Sequence, residues 1–164
     1  MNNPQPGFPD PAQPIFALGW LGEEALPPIL TVLADSHHLD RAAAAWIIGT
    51  MRDLGTNRVR AVPLLLRCLT EKDEAIARHA AAALGELGME PALVVPTLAN
   101  SLGDPIVVVR RLSAHSLGLF AGQAQMAIPA LVQSLNDTNA SVREEATNAL
   151  RQIAPEVLKK KGTR

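Results

Sequence analysis

Apolar residues recur at helical spacing along most of the chain. Near the C-terminus, Ile128, Leu131, Val132 and Leu135 form one short stripe, and Val142, Ala146, Ala149, Leu150 and Ile153 form a second. The polar run Asn136-Asp137-Thr138-Asn139 separates them. Such spacings place each set on one face of a helix, so the segment predicts two amphipathic helices joined by a tight turn. Proline in the first turn, here Pro129, is tolerated because the N–H it lacks has no intrahelical acceptor there. The Asn, Asp and Ser side chains of the turn are suited to cap the helix that follows.

The pattern repeats. Pro63, Pro96 and Pro129 lie 33 residues apart, and the same offset aligns Leu69, Leu102 and Leu135, then Ala80, Ser113 and Ala146, then Leu84, Leu117 and Leu150. Each of the three prolines is expected to open the first helix of its block. An earlier block joins at an offset of 36, matching Pro27 to Pro63, Leu33 to Leu69 and Gly49 to Gly85, which leaves about three extra residues and an expected longer loop between Thr50 and Ala61. One helical hairpin cannot bury its own apolar stripe, so successive hairpins must stack. The expected fold is all-α: an α-solenoid of about four helix pairs over residues 15–158 with a partial repeat at its N-terminal end. That partial repeat is read from Leu18-Gly19-Trp20-Leu21-Gly22, which matches Leu84-Gly85-Glu86-Leu87-Gly88. Phe16, Trp20 and Leu21 make this end apolar, so it is expected to be covered or to self-associate. Residues 1–14, with prolines at 4, 6, 9, 11 and 14, read as an extended or disordered arm, and residues 159–164 as a basic tail. Glu144, Glu145, Asn148 and Gln152 replace Arg111, Leu112, His115 and Leu119 of the preceding block, the polar face expected of a terminal repeat.

Composition agrees and narrows the partners. The 48% hydrophobic content comes mainly from Ala, Leu, Val and Ile, with Tyr absent, which suits closely approaching helices more than strands. A net charge of −1 with interspersed signs gives no global field to draw in nucleic acid or an anionic membrane. No window approaches the ~20 apolar residues that a membrane span requires. The single cysteine, Cys68, excludes an internal disulfide and fits a reducing compartment. A soluble cytoplasmic protein is expected, with neither nucleic acid nor membrane as partner.

The block Ala127-Ile128-Pro129-Ala130-Leu131-Val132-Gln133-Ser134-Leu135-Asn136-Asp137, followed by Ser141-Val142-Arg143-Glu144-Glu145-Ala146, resembles the HEAT repeat. So does Ala83-Leu84-Gly85-Glu86-Leu87-Gly88. The flavour is similar to the short bacterial form found in lyase-like HEAT proteins, and the resemblance covers residues 15 to 154. It implies a right-handed superhelix whose second helices line the concave side. An acid and an arginine recur six residues apart in Asp35/Arg41, Asp104/Arg110 and Asp137/Arg143, whereas the second block has Glu71 and Ala77. By resemblance these form a ladder between layers.

No constellation for catalysis stands out. His37, His38, His79 and His115 lack a second ligand at the spacing of helical metal motifs. One HEAT-like family, deoxyhypusine hydroxylase, holds iron through His-Glu dipeptides, but Ala80 follows His79 here and no such dipeptide occurs. HEAT-like DNA glycosylases carry a basic, aromatic concave surface that this chain lacks. The expectation is a non-catalytic adaptor without cofactor or metal. It binds a protein or peptide through Trp46, Arg78, His79, Arg111, Leu112, His115 and Leu119 on the concave face, since rigidly presented aromatic and apolar groups make binding hot spots. The alternative, suggested by the repeat flavour, is an accessory subunit or enzyme of the bilin-lyase type.

Overall fold

A computed structural model describes residues 22–51 and 55–161; for Gly22, Glu23, residues 55–57 and residues 160–161 it describes the backbone only. The expected arm, the apolar end around Phe16, Trp20 and Leu21, and the last three residues of the expected tail lie outside the described residues.

The chain forms successive helical hairpins: α1 (Leu26–Ala34) with α2 (Arg41–Thr50), α3 (Val62–Leu69) with α4 (Glu74–Leu87), α5 (Pro91–Asn100) with α6 (Val107–Phe120), and α7 (Ile128–Ser134) with α8 (Ala140–Ile153). A last helix, α9 (Pro155–Lys161), packs on α8 and takes Lys159, Lys160 and Lys161 into its final turn, where the sequence suggested a separate tail. The four pairs are those the periodicity predicts. Pro63 and Pro129 stand in the first turn of α3 and α7 as expected. Pro96 does not open its helix. The chain turns earlier, with Gly88 and Glu90 both left-handed, and Pro91 starts α5 with Pro96 inside it. The residues aligned with this early turn of α5 are instead 3₁₀ turns in the neighbouring repeats, Gly55–Ala61 before α3 and Ala121–Ala127 before α7. Of the longer loop expected between Thr50 and Ala61, Gly55–Ala61 is thus a 3₁₀ helix, and residues 52–54 lie outside the described residues.

The second helices stack α2 on α4, α4 on α6 and α6 on α8 far more intimately than the first helices meet one another. Tight contact in one layer and splayed contact in the other curves the array, with the second helices inside. Glycine and small residues make that contact. Gly49 faces Ala83, Gly85 faces Ser116 and Gly118 faces Ala149, each so closely that a Cβ on the glycine would crowd the next helix. Ser116 Oγ donates to Ala81 O across the α4–α6 boundary at 2.8 Å. The core between the layers is aliphatic, with Leu33, Ile47, Leu65, Leu84, Leu98, Leu117 and Leu131 all fully buried. In α8 the glycine position is taken by Arg151, which is exposed.

The acid–arginine pattern is a ladder between repeats, not within them. Arg41 donates from Nη1 and Nη2 to the two carboxylate oxygens of Glu71, both at 2.6 Å, and from Nε to Leu33 O. Arg110 donates from Nε and Nη2 to Asp137 at 2.8 and 3.1 Å, and from Nη1 to the Asp104 and Pro105 carbonyls. Its guanidinium holds the Asp137 carboxyl below the usual carboxylate range. Each of these two arginines thus reaches the acid of the following repeat, while its own repeat supplies main-chain acceptors. The turn acids also order their own loops: Asp35, Asp104 and Asp137 accept from the backbone N–H two residues on.

Candidate inner-face binding site

Two of the hollows along the second helices gather residues that the sequence singled out. The first, about 760 Å³, lies between α2 and α4 and is lined by Trp46, Thr50, Met51, Arg58, His79, Ala82, Glu86 and Leu87 among others. The helical period accounts for most of this lining, because Trp46 and Thr50 are one turn apart on α2, and His79, Ala82 and Glu86 share a face of α4. Trp46 is half-buried and packs its inner edge on the core. Burial, with the Arg78 charge adding to it, lowers His79 to about 4, so the imidazole is neutral at physiological pH. The hollow therefore combines an indole, a neutral imidazole, an exposed carboxylate and an exposed guanidinium over an apolar floor. Met51 follows α2 at the register position of Leu87, Phe120 and Ile153, and Arg58 stands in the 3₁₀ turn aligned with Pro91 and Ala124. The period marks both positions, but not that their side chains line a hollow.

The second hollow, about 610 Å³, lies between α6 and α8 and is lined by His115, Gly118, Leu119, Ala121, Glu145, Asn148, Ala149 and Gln152. Leu119 is 48% exposed here, an apolar group presented to solvent. Glu145 stands between Arg111 Nη1 at 3.7 Å and His115 Nδ1 at 3.4 Å. Asn148 accepts from Arg151. Glu145, Asn148 and Gln152, the polar residues of the last repeat, line this hollow in register with Leu112, His115 and Leu119.

The structure brings Trp46 and His79 together in one hollow and His115 and Leu119 together in the other, with Arg111 reaching Glu145 at the edge of the second. Leu112, on α6, is half-buried and packs against the core, so it contributes to stability as well as to the surface. Arg78 stands on α4 beside His79, outside the lining of either hollow. Among the described residues no His, Cys, Asp or Glu side chains gather into a group that could hold a metal ion. No described helix is long and apolar enough to cross a membrane. Cys68 is buried against Arg41, whose Nη2 lies 3.5 Å from its sulfur, and burial pushes the thiol up.

Comparison with solved structures finds similar solenoids. The complex of CpcE and CpcF of phycocyanin lyase from Nostoc sp. PCC7120 matches with a TM-score of 0.69 at 24% identity, over 82% of this chain and 85% of that one. A designed armadillo repeat protein in complex with the peptide (KR)4 matches with a TM-score of 0.66 at 16% identity, over 89% and 76%. An engineered protein matches with a TM-score of 0.63 at 22% identity over 79% of this chain, which spans 62% of that protein's length. At these identities the likeness concerns the fold. A comparison of the sequence with curated proteins gives no match. The profile of HEAT repeats matches residues 26–118 and 95–160, which takes in every described helix pair and the ladder that joins them, and the chain belongs to the HEAT-repeat family.

Proposed function

We propose that this protein is a non-catalytic adaptor that holds an extended segment of a protein or peptide partner along the inner face of its second helices. The observation that carries the proposal is the hollow at Trp46. A tryptophan half-buried on rigid helices, beside a neutral imidazole and an exposed carboxylate, offers an anchoring pocket with both apolar and polar contacts. The second hollow lies two repeats further on. At the usual 8–10 Å between packed helices this is about 20 Å, which an extended chain spans in about six residues. His115 and Leu119 would hold the second anchor, Arg111 and Arg78 would form a charged rim, and Leu112 would floor the stretch between the hollows. The peptide complex of the designed armadillo protein supports the reading, since a solenoid of similar fold binds a peptide.

Selection of binders from a random peptide display library, with the best sequence measured by fluorescence anisotropy, tests this directly. Trp46→Ala should weaken binding by about 2 kcal/mol, about thirtyfold, without loss of helical content. Undiminished affinity would place the site elsewhere. A second reading, an accessory subunit or enzyme of the bilin-lyase type, draws on the likeness to the phycocyanin lyase complex. A coloured tetrapyrrole co-purifying with the protein would favour it.

A further inference from the structure

The ladder that ties the repeats together lacks one rung. The first and second repeats are latched by Arg41 on Glu71, and the third and fourth by Arg110 on Asp137. At the boundary between the second and third repeats the arginine position is Ala77, fully buried, while the receiving acid, Asp104, is present and already oriented by the Ile106 N–H at 2.7 Å. Ala77 and Asp104 are 27 residues apart, the same separation as Arg110 and Asp137. Arg78 does not occupy the ladder position, because one residue on is a step of about 100° round the helix.

At the same boundary the inner helices are nonetheless in close contact. Gly85 lies against the backbone of Ser116, and Ser116 Oγ reaches back to Ala81 O. The boundary is therefore pinned along the inner helices and unlatched at the turns. The two hollows fall on either side of it, the first wholly within the α2–α4 block and the second wholly within the α6–α8 block.

We infer that the solenoid is two latched halves, repeats one and two and repeats three and four, which rock about the Gly85–Ser116 contact and so vary the distance between the two hollows. Packed interfaces move by small shear and hinge displacements where few restraints cross them, and the missing rung removes the one charged, bidentate restraint found at the flanking boundaries. The motion belongs to the free chain and does not depend on what the inner face binds.

Thr31, Arg67, Asn100 and Gln133 occupy one register position on the four first helices and are all exposed, so nitroxide pairs attached there in the full chain read each boundary in turn by dipolar electron paramagnetic resonance. Cys68, being buried, is shielded from the label. The 67/100 pair should give a broader distance distribution than the 31/67 and 100/133 pairs, and Ala77→Arg should remove the excess breadth by completing the rung to Asp104. Should that variant fail to fold, Arg110→Ala gives an independent reading: it should broaden the 100/133 distribution to match 67/100. Equal breadth at all three boundaries in the unmodified chain, or no broadening on Arg110→Ala, would overturn the inference.

Discussion

A methyl group at Gly85 should cost this protein more than its size suggests. The Cβ of Gly85→Ala would lie 2.5 Å from Ser116 Oγ, 2.6 Å from its Cβ and 2.9 Å from its Cα. The hydroxyl can turn aside, but the Cα moves only with α6, so overpacking falls at the upper end of its usual range, about 3 kcal/mol. Displacing the hydroxyl also breaks its bond to Ala81 O, about 1 kcal/mol more. Against this, replacing glycine inside a helix by alanine gains about 1 kcal/mol. The net loss is about 3 kcal/mol, a large share of a typical domain's stability. Gly118→Ala is the internal control, because there the nearest atom, Ala149 Cα, is 3.2 Å away, and the small shift required should nearly cancel the helical gain. Urea unfolding followed by circular dichroism measures both. Ser116→Gly added to Gly85→Ala should recover part of the loss by removing the two nearest atoms. A Gly85→Ala protein as stable as the parent would refute the close inner-layer contact on which the curvature rests.

The ladder makes its own predictions. Arg41→Ala strips the partner from Glu71 and leaves Leu33 O without its side-chain donor; since Glu71 keeps some exposure, a loss of about 2–3 kcal/mol is expected in the same urea assay, smaller than for a fully buried pair. Asp137 titrates below its unfolded value because of Arg110, so its contribution is complete above about pH 4 and is lost as the pH falls further; Asp137→Asn should flatten the acid limb of the stability profile below that point. His79 has a folded value of about 4 against 6.5 unfolded. The unfolded chain therefore takes up the proton first, and this group subtracts stability as the pH falls from 6.5 toward 4. Its imidazole resonance in an NMR titration should move with a midpoint near 4, and a midpoint near 6.5 would show that the side chain is solvated.

How much of this the sequence held depends on which residues obey the period. Gly49, Gly85 and Gly118 recur in register because every second helix must approach the next, so the array was legible from spacing, while the inner place of the second helices came from the resemblance to HEAT repeats. Pro96 misled because its repeat offers two prolines, and the left-handed turn at Gly88 and Glu90 lets Pro91 start the helix first. The six-residue spacing of Asp137 and Arg143 suggested a pair, but the register of a repeat does not say whether a side chain turns to its own layer or the next. Arg143 takes its own turn's carbonyls, while the carboxylate goes to Arg110. Glu145, Asn148 and Gln152 share the register columns of Leu112, His115 and Leu119, and with His115 and Leu119 they line the second hollow. Arg58 and Met51 occupy positions that the period aligns with Ala124 and Leu87, but the register does not say that these two side chains line a hollow.

The central claim is that the inner face holds a polypeptide. A photo-crosslinking residue placed at Glu86 or at Leu119, both exposed and each lining one hollow, should trap segments of one and the same polypeptide in native extract, with the crosslinked sites about six residues apart by mass spectrometry. The same residue at Arg67 or Gln133, exposed on the outer helices, should trap none of it. Equal capture from both faces, or capture of a small molecule alone at Glu86, would contradict the account.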